Sequence, residues 1–324
     1  MANLTAYASM NIAEANKRAG YDEFGAVLGD IVQRNEFLQF CPMYPSTHGL
    51  ENKVFQAKRL GTGTWSKANG PLQSISSEGD ILVEPIKMYE GDSQVDDRIL
   101  KGADDPVKLR DSEDAMNLEG FLQGFIYDLF YVDNVAYPDA PKSLSSRRGT
   151  LASDYTFGGS GTGSDLTSLW TFEFGPNGFY LVYNKGGTPG IVSQDMGRER
   201  VTVPTGSGQM RAWVRHYEIW AAPVLRNNRA MIRYANIETS GTSNIFSATD
   251  YLKNVQAQLP SMGKNAIAFG NRTIVGQITA DAYNKSNAAY SLRDIEGFGP
   301  VAYIGNIPVR MIEALLNTET AITA

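Results

Sequence analysis

Two histidines, His48 and His216, and one cysteine, Cys41, are all the imidazole and thiol chemistry in the 324 residues. A Ser–His–Asp hydrolase would draw its base from one of those histidines, and neither follows a nucleophile elbow of the GxSxG kind. The same three side chains are too few N/S ligands for a structural zinc site. A single cysteine excludes an internal disulfide and reads as a small buried residue. His216 stands in an aromatic, strand-like run and reads as a hydrogen-bonded sheet histidine. Acidic pairs are more frequent: Asp96/Asp97, Asp104/Asp105 and Glu113/Asp114. Two carboxylates at the right separation can hydrolyse a glycoside. These pairs sit instead at helix starts and in loops, where acids cap and solubilise. The run GGSGTGSD nears a GxGxxG pattern but lacks the βαβ frame and downstream acid of a dinucleotide site, so it reads as a flexible loop. P-loop, HExxH and EF-hand motifs are missing. The residues point to no enzyme, no cofactor and no metal.

Apolar residues make up 42% and charged residues 20%, the balance of a folded, soluble protein. No run approaches a membrane span, and MANLTAYASM lacks a signal peptide's basic and apolar blocks. A cytoplasmic protein is expected. Net charge is −6 and no dense Lys/Arg cluster occurs, whereas a general nucleic-acid binder carries a basic stripe. The 32 glycines lie mostly between strand-like runs, as loop-rich β structure requires.

The element that organises the rest is Asp104–Asp133. Asp105 caps a helix, Pro106 suits its first turn, and Asp111, Glu113 and Asp114 follow near the positive end of the dipole. Leu118, Phe121, Leu122, Phe125, Ile126, Leu129 and Phe130 recur at three- and four-residue spacing. A helix from Pro106 to about Val132 would be roughly 40 Å long, a spine that needs a sheet to lie across.

Residues 1–50 read as an arm. Short helices are expected at Ile12–Gly20 and Phe24–Asn35, followed by an extended FLQFCPMYP. Glu51–Arg59 and Asp80–Met88 read as two strands joined by GTGTWSKANGPLQSISSEG. Lys53, Gln56, Lys58, Arg59, Glu84 and Lys87 scatter polar groups over both faces, leaving little apolar surface to bury. Such a ribbon is stable when another chain completes it, or else packs on the edge of its own domain. After the spine, Asp139–Gly163 reads as loop. LTSLWTFEF, GFYLVYNKG, RVTVP, MRAWVRHYEIW and AMIRYANIE then read as strands of one sheet against the spine. Gly241–Asn244 is a turn, and Ser247–Asp250 resembles a capping box opening a helix with Tyr251, Leu252, Val255 and Leu259 on its apolar face. A strand AIAFGN, a short helix ITADAYNK and a strand–turn–strand PVAYIGNIPVRMIEALLN close the chain, and no internal repeat is found.

The order of arm, ribbon, spine, sheet and small α/β unit resembles tailed-bacteriophage major capsid proteins of the Hong-Kong-97-type fold. Four stretches carry the resemblance to those of short-tailed phages. They are GPNGFYLVYNKGGTPGIVSQDMG, HYEIWAAPVLRNNRAMIRYANIE with Arg229, Arg233, Ala235, Asn236 and Ile237, AFGNRTIVGQITADAYNK with Asn271 and Arg272, and GPVAYIGNIPVRMIEALLNTE with Gly305, Ile307, Pro308, Val309 and Arg310. Together they cover most of residues 165–324, while residues 1–133 match in layout. The resemblance implies an α+β fold divided into an N-terminal arm (1–50), an extended loop (51–96), a peripheral domain (97–240, spine about 105–132) and an axial-type domain (241–324). In the best-known members the long peripheral strands come last, which leaves a permuted connectivity open here.

The function implied is that of a coat protein forming hexamers and pentamers of an icosahedral head around double-stranded DNA, which it touches weakly and without specificity. Implied partners are other copies, a separate scaffolding protein, a portal protein and, as an optional addition, a cement protein, with no membrane. Assembly would take place in the host bacterial cytoplasm and the protein would end in the virion. Some members crosslink subunits through a Lys–Asn isopeptide bond; Lys58 or Lys67 with Asn236 or Asn271 would be the candidates, but non-covalent interlocking is the expectation. The inter-subunit residues expected are Lys53, Lys58, Arg59, Trp65 and Lys67 on the ribbon, with Asp96 and Asp97 as an acidic counterpart on a neighbour. Trp65, an aromatic among Gly and Ser, is the type that anchors interfaces. Rival readings are another β-rich virion or tail protein, and a carbohydrate-binding or glycoside-active protein using aromatic strands and paired acids.

Overall fold

The structure is a computed structural model describing residues 35–151, 155–202, 208–240, 244–283, 289–295 and 299–323. Apart from Asn35, the helices expected at 12–20 and 24–35 lie outside the described residues, as does most of the expected turn at 241–244.

From residue 35 the chain is core rather than arm. Helix α1 (Phe37–Phe40) buries Phe37 completely. Its ring meets Phe130, Phe172, Phe174, Phe179 and Phe269 edge-on at 5.3–6.2 Å. Glu36 N–H donates to the Met311 carbonyl at 3.1 Å, and the Glu36 carboxylate lies 3.5 Å from Arg310. Strand β1 (Met43–Pro45) follows. Edge-on aromatic packing of this extent belongs to the chain's own interior, so the segment from Asn35 to Pro45, expected as part of an arm over 1–50, is packed into the core.

Strands β2 (Glu51–Arg59) and β3 (Glu78–Pro85) form the ribbon, a separate two-stranded sheet. Its second strand stops at Pro85 rather than Met88. Proline brings no N–H to the ladder, Ile86 turns inward, and Lys87–Asp96 continues as β4 in another sheet. The ribbon's faces also differ from expectation. Phe55 pairs with Ile81 and Lys53 with Val83, so one face is largely apolar, and Phe55, Ile81 and Val83 are exposed on it.

Helix α2 (Asp97–Gly102) leads to the spine α3 (Pro106–Tyr131), 26 residues long. Asp105 Oδ1 accepts from Val107 N at 3.2 Å and Lys108 N at 3.1 Å, closing the N-terminus as expected. The acids of 111–114 lie beyond the first turn, where the dipole's field has faded. Asp114 is instead buried, accepting from Ser93 Oγ at 2.6 Å and pairing with Arg215 at 3.2 Å. Phe121, Phe125, Ile126, Leu129 and Phe130 are buried along the predicted stripe.

The region expected as loop contains α4 (Leu144–Arg147) and β5 (Thr156–Gly158). Strands β6 (Leu166–Glu173), β7 (Phe179–Tyr183), β8 (Ile191–Thr202), β9 (Gln209–Leu225) and β10 (Met231–Glu238) follow. The last part comprises α5 (Ala248–Asn254), β11 (Ala266–Gly270), α6 (Arg272–Tyr283), β12 (Tyr290–Ile295), β13 (Gly299–Ile304) and β14 (Ile307–Met311).

These strands build two sheets, not one. A five-stranded sheet is organised on the 17-residue β9, with β4 along one edge and β8 and then β7 along the other, and β1 outside β7. A seven-stranded sheet runs β12-β13-β14-β11-β6-β10-β5. It takes strands from both sides of residue 240, so the division expected there does not fall at a break in the sheet. The spine's buried face, α1, Trp170 and Phe172 of β6, Phe269 of β11 and Tyr217 and Ile219 of β9 share one core. A second core lies under α5 and α6, centred on Tyr251, Ile274 and Ile278.

Candidate functional site

The ribbon is held at its root and, among the described residues, exposed beyond it. At the root, Val54 packs with Ile86, Tyr180, Val182, Ala222 and Val224. Ile86 N–H donates to the Leu50 carbonyl at 2.8 Å, and Gln56 Nε2 donates to the Leu225 carbonyl at 3.2 Å. The main tie is Arg147, whose Nη1 and Nη2 donate to the two Glu84 carboxylate oxygens at 2.6 and 2.7 Å. Both side chains are about nine-tenths buried, so α4, in the segment expected as loop, clamps β3 with a two-toothed, water-poor ion pair.

Beyond the root lies a long connection, residues 60–77, without strands. Thr64 Oγ1 donates to Gln73 Oε1 at 2.8 Å, and Gly70 N–H donates to the Lys67 carbonyl at 2.9 Å, closing a tip turn in which Asn69 takes φ +65°. Trp65 is fully exposed, and Leu60, Leu72 and Ile75 are largely so. Phe55, Ile81 and Val83 on the paired strands and Trp65 in the connection are thus large apolar groups exposed on one element, where singly placed ones would be ordinary.

The expected site residues divide. Lys58 pairs with Asp80 at 3.1 Å, Arg59 with Glu78 at 3.9 Å and Lys53 with Glu51 at 3.8 Å, all exposed and worth little to the fold. Lys67 is exposed at the tip. Asp96 and Asp97 are different: they are used inside the chain. Asp96 caps α2 by accepting from Arg98 N at 2.8 Å; burial works against its charge, but hydrogen bonds from Arg98 hold the carboxyl below its ordinary range. Asp97 pairs with Lys101 at 2.7 Å and with Arg198. The Lys101 hydrogen bond, reinforced by Arg198, keeps its carboxyl low. Carboxylates satisfied in this way are poor counterparts for a neighbour's lysines, and the acidic patch expected there is a structural clasp.

The isopeptide candidates are also occupied. Asn236, buried with φ +56°, donates to the Ile322 carbonyl and accepts from Ile322 N, both at 2.9 Å. Asn271 caps α6, its Oδ1 accepting from Ile274 N at 3.0 Å while Nδ2 donates to Thr167 Oγ1 at 2.7 Å. Both side chains are buried within the chain.

His216 is the hydrogen-bonded sheet histidine expected, its Nδ1 lying 2.7 Å from Asp92 Oδ1 on the facing rung of β4. That hydrogen bond raises its pKa above the ordinary imidazole value. Cys41 is buried, and burial pushes its thiol pKa far up. Among the described residues no group of three or more His, Cys, Asp or Glu is placed to hold a metal ion, and no helix is long and apolar enough to cross a membrane.

One buried network escaped the sequence altogether. Arg233 of β10 donates from Nη2 to Glu319 Oε2 at 3.0 Å and stacks over Trp170 at 4.9 Å. Tyr131 Oη donates to the other Glu319 oxygen at 2.5 Å, and Ser168 Oγ donates to the same carboxylate. Burial, with that carboxylate beside it, drives the Tyr131 phenol pKa well above its usual value. The closing segment is thereby stitched across β6, β10 and the end of the spine.

Three comparisons bear on this geometry. The family model for major capsid protein GP7 matches residues 22–323. No curated protein matches the chain. Among solved structures, that of bacteriophage epsilon15 superposes with a TM-score of 0.72 at 19% identity, covering 100% of both chains. The bacteriophage JBD30 capsid superposes with a TM-score of 0.50 at 11% identity, covering 93% of this chain and 98% of that one. A projecting ribbon, a spine helix and two sheets sharing one core are therefore a Hong-Kong-97-type arrangement, and the chain belongs to the GP7 family of tailed-phage major capsid proteins.

Proposed function

We propose that this coat subunit builds hexamers and pentamers of an icosahedral head by laying its ribbon across a neighbouring copy. The observation that carries the reading is the ribbon's asymmetry: a clamped root at Arg147–Glu84, then an exposed row of Phe55, Ile81, Val83 and Trp65 with no interior of its own. In this reading the ribbon is the extended loop. The spine with the five-stranded sheet is the peripheral unit, and the seven-stranded sheet with α5 and α6 is the axial unit. Lys53, Lys58, Arg59 and Lys67 line the ribbon's contact, exchanging weak internal pairs for partners on the neighbour. The head encloses double-stranded DNA without gripping it, in keeping with a net charge of −6. Assembly in the bacterial cytoplasm on a separate scaffolding protein, around a portal and with room for a cement protein, completes the scheme. The role is structural rather than catalytic.

The test is Trp65→Ala, expressed with the neighbouring phage genes. Fewer closed particles, or particles that fall apart at lower temperature, from a subunit that still folds are the expected result. Normal particle yield and heat resistance would count against the ribbon's role.

A further inference from the structure

The hairpin of β8 and β9 carries an electrostatic conflict. Its register sets Arg200 directly opposite Arg211, and both are exposed. Like charges directly opposed across an antiparallel pair repel. Nearby acids are committed elsewhere. Asp97 holds Arg198, and Asp195 holds Arg110 at 2.7 Å. Glu199 is registered against Ala212 and alternates to the other face. Among the described residues, Arg200 and Arg211 have no ion-pair partner.

A second conflict, of opposite sign, lies on the same sheet. Glu90 of β4 stands directly opposite Glu218 of β9. On the next rung of that face, His216 is bound to Asp92 and its Nε2 is 3.9 Å from Glu218. One imidazole thus contacts two carboxylates, Asp92 and Glu218, and leaves Glu90 opposed to Glu218. The two conflicts cannot cancel within one chain. Arg211 and Glu218 stand seven positions apart on β9, roughly 23 Å at about 3.3 Å per residue. The odd spacing also sets them on opposite faces of the sheet.

We propose that the two like-charge pairs are the halves of one contact between copies: Arg200 and Arg211 of one subunit dock on Glu90 and Glu218 of the next. The inference rests on the coat-protein reading and gives it a specific contact. The patches are different surfaces of one chain, so the contact is heterologous, the type that closes rings. Arginine forks suit paired carboxylates, and complementary patches fix orientation. DNA phosphates would satisfy the arginines but leave Glu90 and Glu218 opposed, which is why a second copy is the better partner.

Charge exchange tests it, using the full chain expressed with its neighbouring phage genes. The variants are Arg200→Glu with Arg211→Glu, Glu90→Arg with Glu218→Arg, and all four together. The first reversal replaces one like-charge pair by another, leaving the hairpin's own repulsion in place. Soluble, folded subunits are checked by circular dichroism, with Arg211→Gln and Glu218→Gln as milder companions if a reversed subunit does not fold. Each reversal should lower the association constant roughly tenfold or more, seen as lost closed particles in sedimentation, and the fourfold variant should restore them. Unimpaired assembly of either reversal, or no rescue from folded subunits, overturns the contact. Normal shells with reduced DNA content in the arginine variant overturn it too, assigning the arginines to DNA. Failure of the unaltered chain to form any shell would instead refute the coat-protein reading.

Discussion

Replacing Arg147 by methionine should release the ribbon at its root. The guanidinium and the Glu84 carboxylate are both about nine-tenths buried and joined at 2.6 and 2.7 Å. Methionine fills much of the same space but leaves Glu84 charged, buried and alone, at a cost of about 3–5 kcal/mol. Val54 and Gln56 still hold the root, so the loss appears as local opening rather than global unfolding. Since 1.4 kcal/mol is tenfold, the open population should rise roughly a hundred- to several-thousand-fold. Hydrogen exchange read by mass spectrometry on the unassembled subunit measures it at the amides of Val54, Glu84 and Ile86. Glu84→Met combined with Arg147→Met should return close to the original protection, because an apolar pair often replaces a buried ion pair at little cost. The cycle then yields the coupling directly. Unchanged exchange in Arg147→Met, or a double variant as open as the single, would refute the clamp.

Three further outcomes are expected of the same fold. The Asp92 hydrogen bond raises the His216 pKa, so its contribution to stability is complete below an unfolded value of about 6.5 and is lost as pH rises through the higher folded value. The melting-temperature advantage over Asp92→Asn should therefore shrink as pH rises from about 6.5 through the higher folded value; a constant gap would contradict it. Phe37→Ala should destabilise the subunit by about 3–5 kcal/mol in urea, as for a fully buried aromatic; a loss under about 1 kcal/mol would mean that the segment is a detachable arm after all. Glu319→Ala should cost a similar amount, about 3–5 kcal/mol, by stranding Arg233, and a near-neutral result would dissolve the proposed stitch.

The spine was legible because its signals are local: Asp105 and Pro106 mark the start, and the stripe from Leu118 to Phe130 keeps helical spacing. The strands of 166–238 were legible for the same reason, as aromatic and β-branched runs between turns. What failed was pairing. Charges scattered along the ribbon look two-faced until Phe55 is known to face Ile81 across a long connection. Phe37 looks like part of an arm because the rings it meets, Phe130 to Phe269, lie far along the chain. Strand β12 mixes Ser, Leu, Arg and Asp and shows no clear alternation, while α6 begins at Arg272, earlier than its apolar pattern announced, because Asn271 caps it. Asp96 and Asp97 were visible as acids, but their cations, Arg98, Lys101 and Arg198, show that the pair closes a clasp within the chain.

The stitch at Glu319 also sets a clock. Arg233 is translated 86 residues before the carboxylate that neutralises it, an interval of roughly 4–17 s at about 5–20 residues per second. Every described strand has left the peptidyl-transferase centre by then, yet the positive charge under Trp170 is still uncompensated. The buried arginine of the seven-stranded sheet therefore gains its counter-charge only after synthesis has passed residue 319. Ribosome-bound chains halted before that residue would be expected to remain open and accessible to chaperones.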